Sequence, residues 1–266
     1  RERTATIARH TGGSRPMGTA NRRISEWRKM QKKPSIPGLG SPGRQGGLGR
    51  PVNTVRAMCL AVLSIGLALA PGQARAGGMS ADLAAFEKEW AGIYYDMPKQ
   101  DQLNRYPKLA DKAAALVKQY PQSAEPLIWQ AITLSSFAKS KGGLKALDLA
   151  RHARDAALGA AKIDEKALGA GAYTALGVLY YKVPGWPIGF GNDQKATAYL
   201  DKALALAPNA IDVNFFYGDF LIEQGDKKAA KPYLEKALEI PIRPDHRYAD
   251  AGRKQEIQRD LAKLDK

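Results

Sequence analysis

Histidine and cysteine are the side chains of this sequence best suited to metal ligation or nucleophilic catalysis. The three histidines, His10, His152 and His246, lie far apart and show no H-x-x-x-H or H-E-x-x-H spacing, so the sequence predicts no zinc site. We expect His152 on a solvated helix face. His246 could pair with a neighbouring aspartate as a base, but no nucleophile motif and no glycine-rich phosphate loop accompanies it. We therefore expect no catalytic site, no metal and no cofactor.

Carboxylates are the second source of catalytic chemistry, because two of them can act as a general acid and a general base. Glu87 and Glu89, and likewise Glu235 and Glu239, are spaced as solvent-facing positions of amphipathic helices. The sequence therefore predicts a binding protein and not an enzyme.

An aromatic segment interrupted by prolines and glycines, running from Val183 to Gly191, is the most distinctive candidate for binding. Exposing Trp, Ile and Phe costs roughly 1.5 to 3 kcal/mol each, so we expect these side chains to be covered. One interpretation is that the segment lines an apolar pocket on the concave side of the fold. The alternatives are that it plugs a groove between helices or forms a subunit contact. The predicted ligand-binding residues are Tyr180, Tyr181, Pro184, Trp186, Pro187, Ile188, Phe190, Asn214, Phe215 and Tyr217.

The elements that must position this segment are helices, and they repeat. From Ala81 onward Ala and Leu recur at helical spacing between Lys, Glu and Asp, and Pro or Gly interrupts the pattern. Ala196, Leu200 and Ala203 recur 34 residues later as alanine, leucine and alanine. A 34-residue period is typical of tetratricopeptide repeats, which consist of two antiparallel helices. The sequence predicts an all-α fold, an α-solenoid of tetratricopeptide-like helix hairpins.

The first helices of two repeats carry Gly177 and Gly218, which we expect where paired helices touch. These glycines are 41 residues apart, so seven residues are inserted beyond the period, and they fall in the aromatic segment. We predict repeat units near residues 102–130, 131–165, 170–208 and 211–241. A capping helix is predicted over 247–264, with one face docked and one in water.

A signal peptide is predicted over residues 51–76, with cleavage after Ala76. The run from Ala57 to Ala70 holds 14 uncharged residues, too few to cross a bilayer of roughly 30 Å. Arginines precede the run, and Ala74-Arg75-Ala76 supplies the small residues that signal peptidase accepts. Cys59 would leave with this leader, so we expect a periplasmic mature chain without a disulfide.

Residues 1–50 are rich in Gly, Pro and Arg and lack apolar periodicity. They are expected to be disordered, or to be translated upstream sequence in front of the true start. Residues 1–76 hold 14 Lys and Arg against two Asp and Glu, whereas residues 77–266 hold 27 against 24. The basic charge belongs to the leader, so nucleic acid is not the expected partner. Residues 77–266 are expected to form the helical domain.

Three segments carry a resemblance to a known family. Residues 180–191, 214–218 and 250–253 are similar to the T component associated with TRAP-type solute transporters. The resemblance extends over roughly residues 81–266. It implies an all-helical periplasmic protein, often oligomeric, with a lipophilic pore or cleft, which works beside a substrate-binding protein and has no catalytic activity.

Two functions follow as expectations. The first is an accessory protein of a solute or lipid transport system. It would bind an apolar small molecule or lipid, dock a periplasmic substrate-binding protein or another transporter component, or do both, and could form a homo-oligomer. The alternative is a protein–protein adaptor that uses the concave repeat face, with Asn192 and Asn214 as contact residues, and binds no small molecule.

Overall fold

The structure is a computed structural model that describes the backbone of residues 72–264 and the side chains from residue 78 onward. The predictions for residues 1–50 and for residues 51–71 of the leader lie outside the described residues. The α-helices are α1 Gly72–Ala91, α2 Lys99–Gln119, α3 Ala124–Lys141, α4 Leu144–Ile163, α5 Ala167–Lys182, α6 Asp193–Leu206, α7 Ile211–Glu223, α8 Lys227–Glu239 and α9 Arg247–Leu264.

Short irregular pieces join these helices. The segment Gly92–Asp96 forms a π-helical turn after α1, and Pro244–His246 forms a 3₁₀ turn before α9. In the first turn of α5 the backbone of Leu168, Gly169 and Ala170 has positive φ angles of 49°, 62° and 57°, so regular helix begins after Ala170. None of the described helices is both long and apolar enough to cross a bilayer.

Consecutive helices of the described chain pair as four antiparallel hairpins. The helices pack closely in three of them, α3 with α4, α5 with α6, and α7 with α8, whereas in the first hairpin α1 and α2 meet through side-chain contacts such as Glu89 with Lys112 and Asp82 with Tyr120. The predicted units 170–208 and 211–241 correspond to the third and fourth hairpins. The predicted units 102–130 and 131–165 do not, because their shared boundary falls inside α3.

The repeat core lies where the 34-residue period places it. Ala196, Leu200 and Ala203 are fully buried, and so are their counterparts one repeat later, Ala230, Leu234 and Ala237. A Cβ on Gly177 would lie 2.5 Å from Cγ of Leu200, and one on Gly218 would lie 2.9 Å from Cδ2 of Leu234. These glycines therefore let the paired helices approach, as predicted.

The first helices of successive hairpins contact one another, and α9 contacts α1 at the other end of the series. Trp90 of α1 donates from Nε1 to Oγ of Ser136 on α3 at 3.2 Å. The backbone N–H of Ala249 in α9 donates to Oε1 of Glu87 in α1 at 3.1 Å, and His246 Nδ1 lies 2.6 Å from the other oxygen of that carboxylate. The described helices thus close on themselves.

Two sequence-based expectations fail at this closure. Glu87, expected in water, is 1% exposed, because its carboxylate caps the first turn of α9 and pairs with His246. The second is at the predicted capping helix: Arg253 is a charged residue of this helix and a charged side chain is expected on its face in water, but Arg253 is 6% exposed. Its guanidinium donates to Asp212 of α7 at 2.8 Å and to Glu256 at 2.5 Å, since α9 packs against both ends of the series.

Candidate functional site

The aromatic segment forms a compact loop between α5 and α6. The N–H of Gly191 donates to the carbonyl of Pro184 at 2.8 Å, and the N–H of Asn192 donates to the carbonyl of Tyr180 at 2.8 Å. The N–H groups of Ile188 and Gly189 both donate to the carbonyl of Gly185 at 3.1 Å. These bonds give the loop one defined conformation, as the sequence predicts.

The Trp186–Pro187 peptide bond at the tip of the loop is cis. A Cβ at Gly191 would overlap the backbone of Val183, so the two sides of the loop approach at a distance that only glycine allows. At its exit, Asn192 caps α6 by accepting a hydrogen bond from the N–H of Lys195 at 2.9 Å.

The base of the loop is covered by aromatic and basic side chains. The Tyr180 ring lies 5.5 Å from the Phe190 ring in an edge arrangement and 5.5 Å from the Tyr199 ring in a stacked one. The guanidinium of Arg154 on α4 lies 4.8 Å from the centre of the Phe190 ring. Phe190 is therefore half-buried, and its covered face is occupied by the chain's own side chains.

The tip of the loop is exposed. Trp186 is 91% exposed and Ile188 is 40% exposed. Within this chain Trp186 is left uncovered, because the backbone bonds that hold the loop together direct Pro184 inward and the residues from Gly185 to Ile188 outward. Of the predicted arrangements, a contact with another subunit or protein is the one that would cover it.

Tyr181 and Lys182 tie the entrance of the loop to α7. The hydroxyl of Tyr181 donates to Oδ2 of Asp219 at 2.5 Å, and Nζ of Lys182 lies 2.9 Å from the same carboxylate and 3.0 Å from Glu223. Burial, reinforced by the Asp219 carboxylate, raises the pKa of Tyr181 well above its ordinary value. Tyr181 is therefore a buried structural hydrogen-bond donor.

The remaining predicted residues on α7 do not reach the loop tip. Asn214 is fully buried and donates from Nδ2 to the carbonyls of Pro208 and Ala210 at 2.9 Å each, which fixes the turn before α7. Phe215 is 3% exposed and lies beneath the Arg253 guanidinium, 4.5 Å away. Tyr217 donates to Asp201 at 2.9 Å.

The ten predicted residues consequently do not line one pocket. Tyr180, Pro184 and Phe190 form the base of the loop, and Trp186, Pro187 and Ile188 form its tip, whereas the others have separate structural roles. Sequence reasoning missed Leu147 and Arg154 of α4, which support the loop. Their seven-residue spacing puts them on one helix face, but nothing local connects that face with residues 183–191.

A separate open cleft of about 550 Å³ adjoins the turn between α1 and α2. It is lined by Gly92, Asp96, Met97, Pro98, Asp101, Asn104 and Arg105. In the described part of the chain, no three His, Cys, Asp or Glu side chains are placed to hold a metal ion.

The comparisons with known proteins agree with this architecture. Residues 211–241, which include α7 and α8, match the family model of the tetratricopeptide repeat. No curated protein matches the chain. The described chain is thus an all-α solenoid of tetratricopeptide-like hairpins, a type of repeat that generally mediates protein–protein interaction as a non-enzymatic scaffold.

Proposed function

We propose that this protein is a periplasmic adaptor of a transport system, which docks a substrate-binding protein or another transporter component through the loop at Trp186. The repeat fold supports a role in protein–protein interaction. The similarity of residues 180–191 to the T component of TRAP-type transporters supports a partner from a solute transport system.

The exposed indole of Trp186 is the observation that carries the proposal. Exposure of an aromatic side chain of this size costs roughly 1.5 to 3 kcal/mol, which a partner recovers when it covers the ring. Tryptophan is among the residues that contribute most to protein interfaces. The hydrogen bonds within the loop hold Trp186 in place before binding, which lowers the entropy cost of association.

Two other functions have less support. A small apolar ligand held between Trp186 and Phe190 is disfavoured because Trp186 is 91% exposed and Phe190 is covered by Tyr180 and Arg154. Peptide binding in a concave groove has less support because α9 packs against α1, α7 and α8, so the array is not open at both ends.

Binding of a partner from periplasmic extract tests the proposal. A photoreactive p-benzoylphenylalanine at position 186 should form a covalent adduct with a transport component, identified by mass spectrometry. In a pull-down, the Trp186→Ala variant should no longer bind the same protein. The control variant Ile163→Ala, which changes another exposed apolar residue, should still bind it. Light scattering of the purified chain measures its molar mass and so shows whether Trp186 instead contacts a second copy of the chain. Binding of the partner by the Trp186→Ala variant would contradict the proposal.

The periplasmic location has its own test. The leader ends in Ala74-Arg75-Ala76, so the exported chain should begin at Gly77. Amino-terminal sequencing of protein from a periplasmic fraction measures this directly. Recovery of an uncleaved chain in the cytoplasm contradicts the location.

A further inference from the structure

The loop does not stand alone on the surface, because it lies along one face of α4. Gly189 adjoins Leu147: a Cβ there would lie 3.2 Å from Cδ2 of Leu147. Two turns farther along the same face, Arg154 lies over the Phe190 ring. Leu144 and Arg151, at spacings of three and four residues from Leu147, belong to this face as well.

At the amino-terminal end of α4, this face carries an exposed apolar side chain. Leu144, the first residue of α4, is 76% exposed. Trp186 is 91% exposed and Ile188 is 40% exposed, and together with Leu144 they belong to the few large apolar side chains of the described residues that are exposed. Leu144 lies one helical turn from Leu147, the residue that adjoins Gly189 of the loop, so three exposed apolar side chains lie on two adjoining elements, whereas a single exposed one is ordinary. We refer to Leu144, Trp186 and Ile188 as the patch.

Three basic side chains lie on the helices that adjoin the loop. Arg151 is exposed and makes no ion pair with the described residues. Arg154 lies over Phe190, and Lys195, at the start of α6, lies 5.4 Å from the centre of the Tyr180 ring on the other side of the loop. Asp148, exposed on the same helix, and Asp155, the partner of Arg154, offset part of this charge and leave a small net positive charge beside the apolar side chains.

From this arrangement we infer that the docking surface extends from the loop tip to Leu144. Its partner is a folded protein that presents an apolar pocket surrounded by carboxylates. The inference rests on the proposed function and specifies its partner. Complementary charges at the rim of an interface steer association and exclude wrong partners, while the apolar centre supplies the affinity.

A folded protein fits this surface better than a lipid bilayer does. Anionic membranes are typically bound by clusters of about four to eight Lys or Arg, and three lie beside the patch, one of which, Arg154, is paired with Asp155 at 2.9 Å. A loop that is already ordered pays a smaller entropy cost when it binds a partner of complementary shape. The hydrogen-bonded loop therefore indicates a shaped pocket.

Site-specific crosslinking of the full chain tests the extent of the surface. p-Benzoylphenylalanine is placed at position 186, at position 144, or at position 163 as a control, since Ile163 is 44% exposed at the opposite end of α4. We expect positions 186 and 144 to capture the same protein and position 163 not to capture it. Capture from 186 alone overturns the inference and leaves the proposed function standing. Capture from neither position overturns both.

Charge reversal then tests the chemistry of the partner. With the captured protein purified, Arg151→Glu combined with Lys195→Glu should raise Kd by about tenfold or more and flatten its dependence on salt. The control Lys162→Glu, exposed on the same helix, should leave Kd unchanged. An unchanged Kd in the double variant would overturn the inference that carboxylates surround the partner's pocket.

Vesicle sedimentation tests the competing occupant. The full chain is mixed with vesicles of phosphatidylcholine containing phosphatidylglycerol. We expect the protein to stay in the supernatant. Sedimentation that is lost in Trp186→Ala would identify the bilayer as the occupant and overturn the inference of a protein partner.

Discussion

Gly252 of α9 lies directly against the ring of Tyr95, so that a Cβ at position 252 would overlap three carbons of the tyrosine. A mid-helix glycine normally costs roughly 1 kcal/mol relative to alanine. Here the contact reverses that preference, because the ring has a helix on its other side: Tyr95 packs against Trp90 at 5.6 Å.

Gly252→Ala should therefore destabilise the protein by about 1 to 3 kcal/mol, the usual cost of an overfilled contact. Urea denaturation followed by circular dichroism measures the free energy of unfolding. Gly92→Ala is the matched control, because a Cβ there meets no atom within 4 Å, and it should be neutral or stabilising. Equal effects at both positions would show that α9 does not press on Tyr95.

Glu87→Ala should cost about 1 to 3 kcal/mol, because it leaves two donors without their buried acceptor: His246 and the N–H of Ala249. Glu89→Ala is the control on the same helix. Its carboxylate is 29% exposed and pairs with Lys112 at the surface, so its removal should cost less than about 1 kcal/mol. The comparison uses urea midpoints at one pH, and a larger loss for Glu89→Ala would contradict the closure.

Trp186→Ala should change stability by less than about 0.5 kcal/mol, as is usual for a surface position. Phe190→Ala should cost more, about 1 to 2 kcal/mol, because its ring packs against Tyr180 and Arg154. Thermal denaturation separates the two. Acrylamide should quench the fluorescence of Trp186 while sparing Trp90 and Trp129, which are 3% and 4% exposed. A large stability loss in Trp186→Ala would show that the loop tip is covered.

Alkaline pH should unfold the protein as buried tyrosines ionise. Burial raises the pKa of Tyr95, Tyr106 and Tyr181, so the folded state holds these protons more tightly than the unfolded state does. Their contribution to stability is complete below the tyrosine pKa of about 10 and is lost as pH rises above it. In the Tyr181→Phe variant the free energy of unfolding should fall less steeply as pH rises.

Tyrosinate absorbance follows the same transition. Tyr248 should ionise first, because a hydrogen bond from Arg247 lowers its pKa. The buried tyrosines should ionise together with loss of the helical circular dichroism signal. Independent ionisation of Tyr181 in the folded protein would contradict its burial beside Asp219.

The hairpins could be predicted because their determinants are local. Leu200 repeats at Leu234, and the glycines that face these leucines, Gly177 and Gly218, fall where two helices must touch. The position of the loop was also predictable, because Gly177 and Gly218 are farther apart than one repeat period and the additional residues lie in the loop. The upstream register failed, because α1 is joined to α2 by a π-helical turn without a repeat signature.

The closure between α1 and α9 could not be predicted from the sequence. Glu87 and His246 are 159 residues apart. Glu87 stands in a pattern typical of solvent-facing positions, and His246 stands in a short turn, so no local signal connects the two. The exposure of Trp186 was missed for a different reason. Composition predicts that an apolar loop is covered, but its direction depends on backbone hydrogen bonds, such as the one from Gly191 to Pro184, that composition does not reveal.

The contact between α9 and α1 changes how the protein is expected to unfold. In an open repeat array each unit touches only its neighbours, so hairpins can fray from the ends one after another. Here, within residues 72–264, the terminal helices protect each other, which favours a single cooperative transition. The same contact restrains the described array, because a hairpin inserted between α1 and α9 would have to keep Glu87 beside Ala249 or break their hydrogen bond.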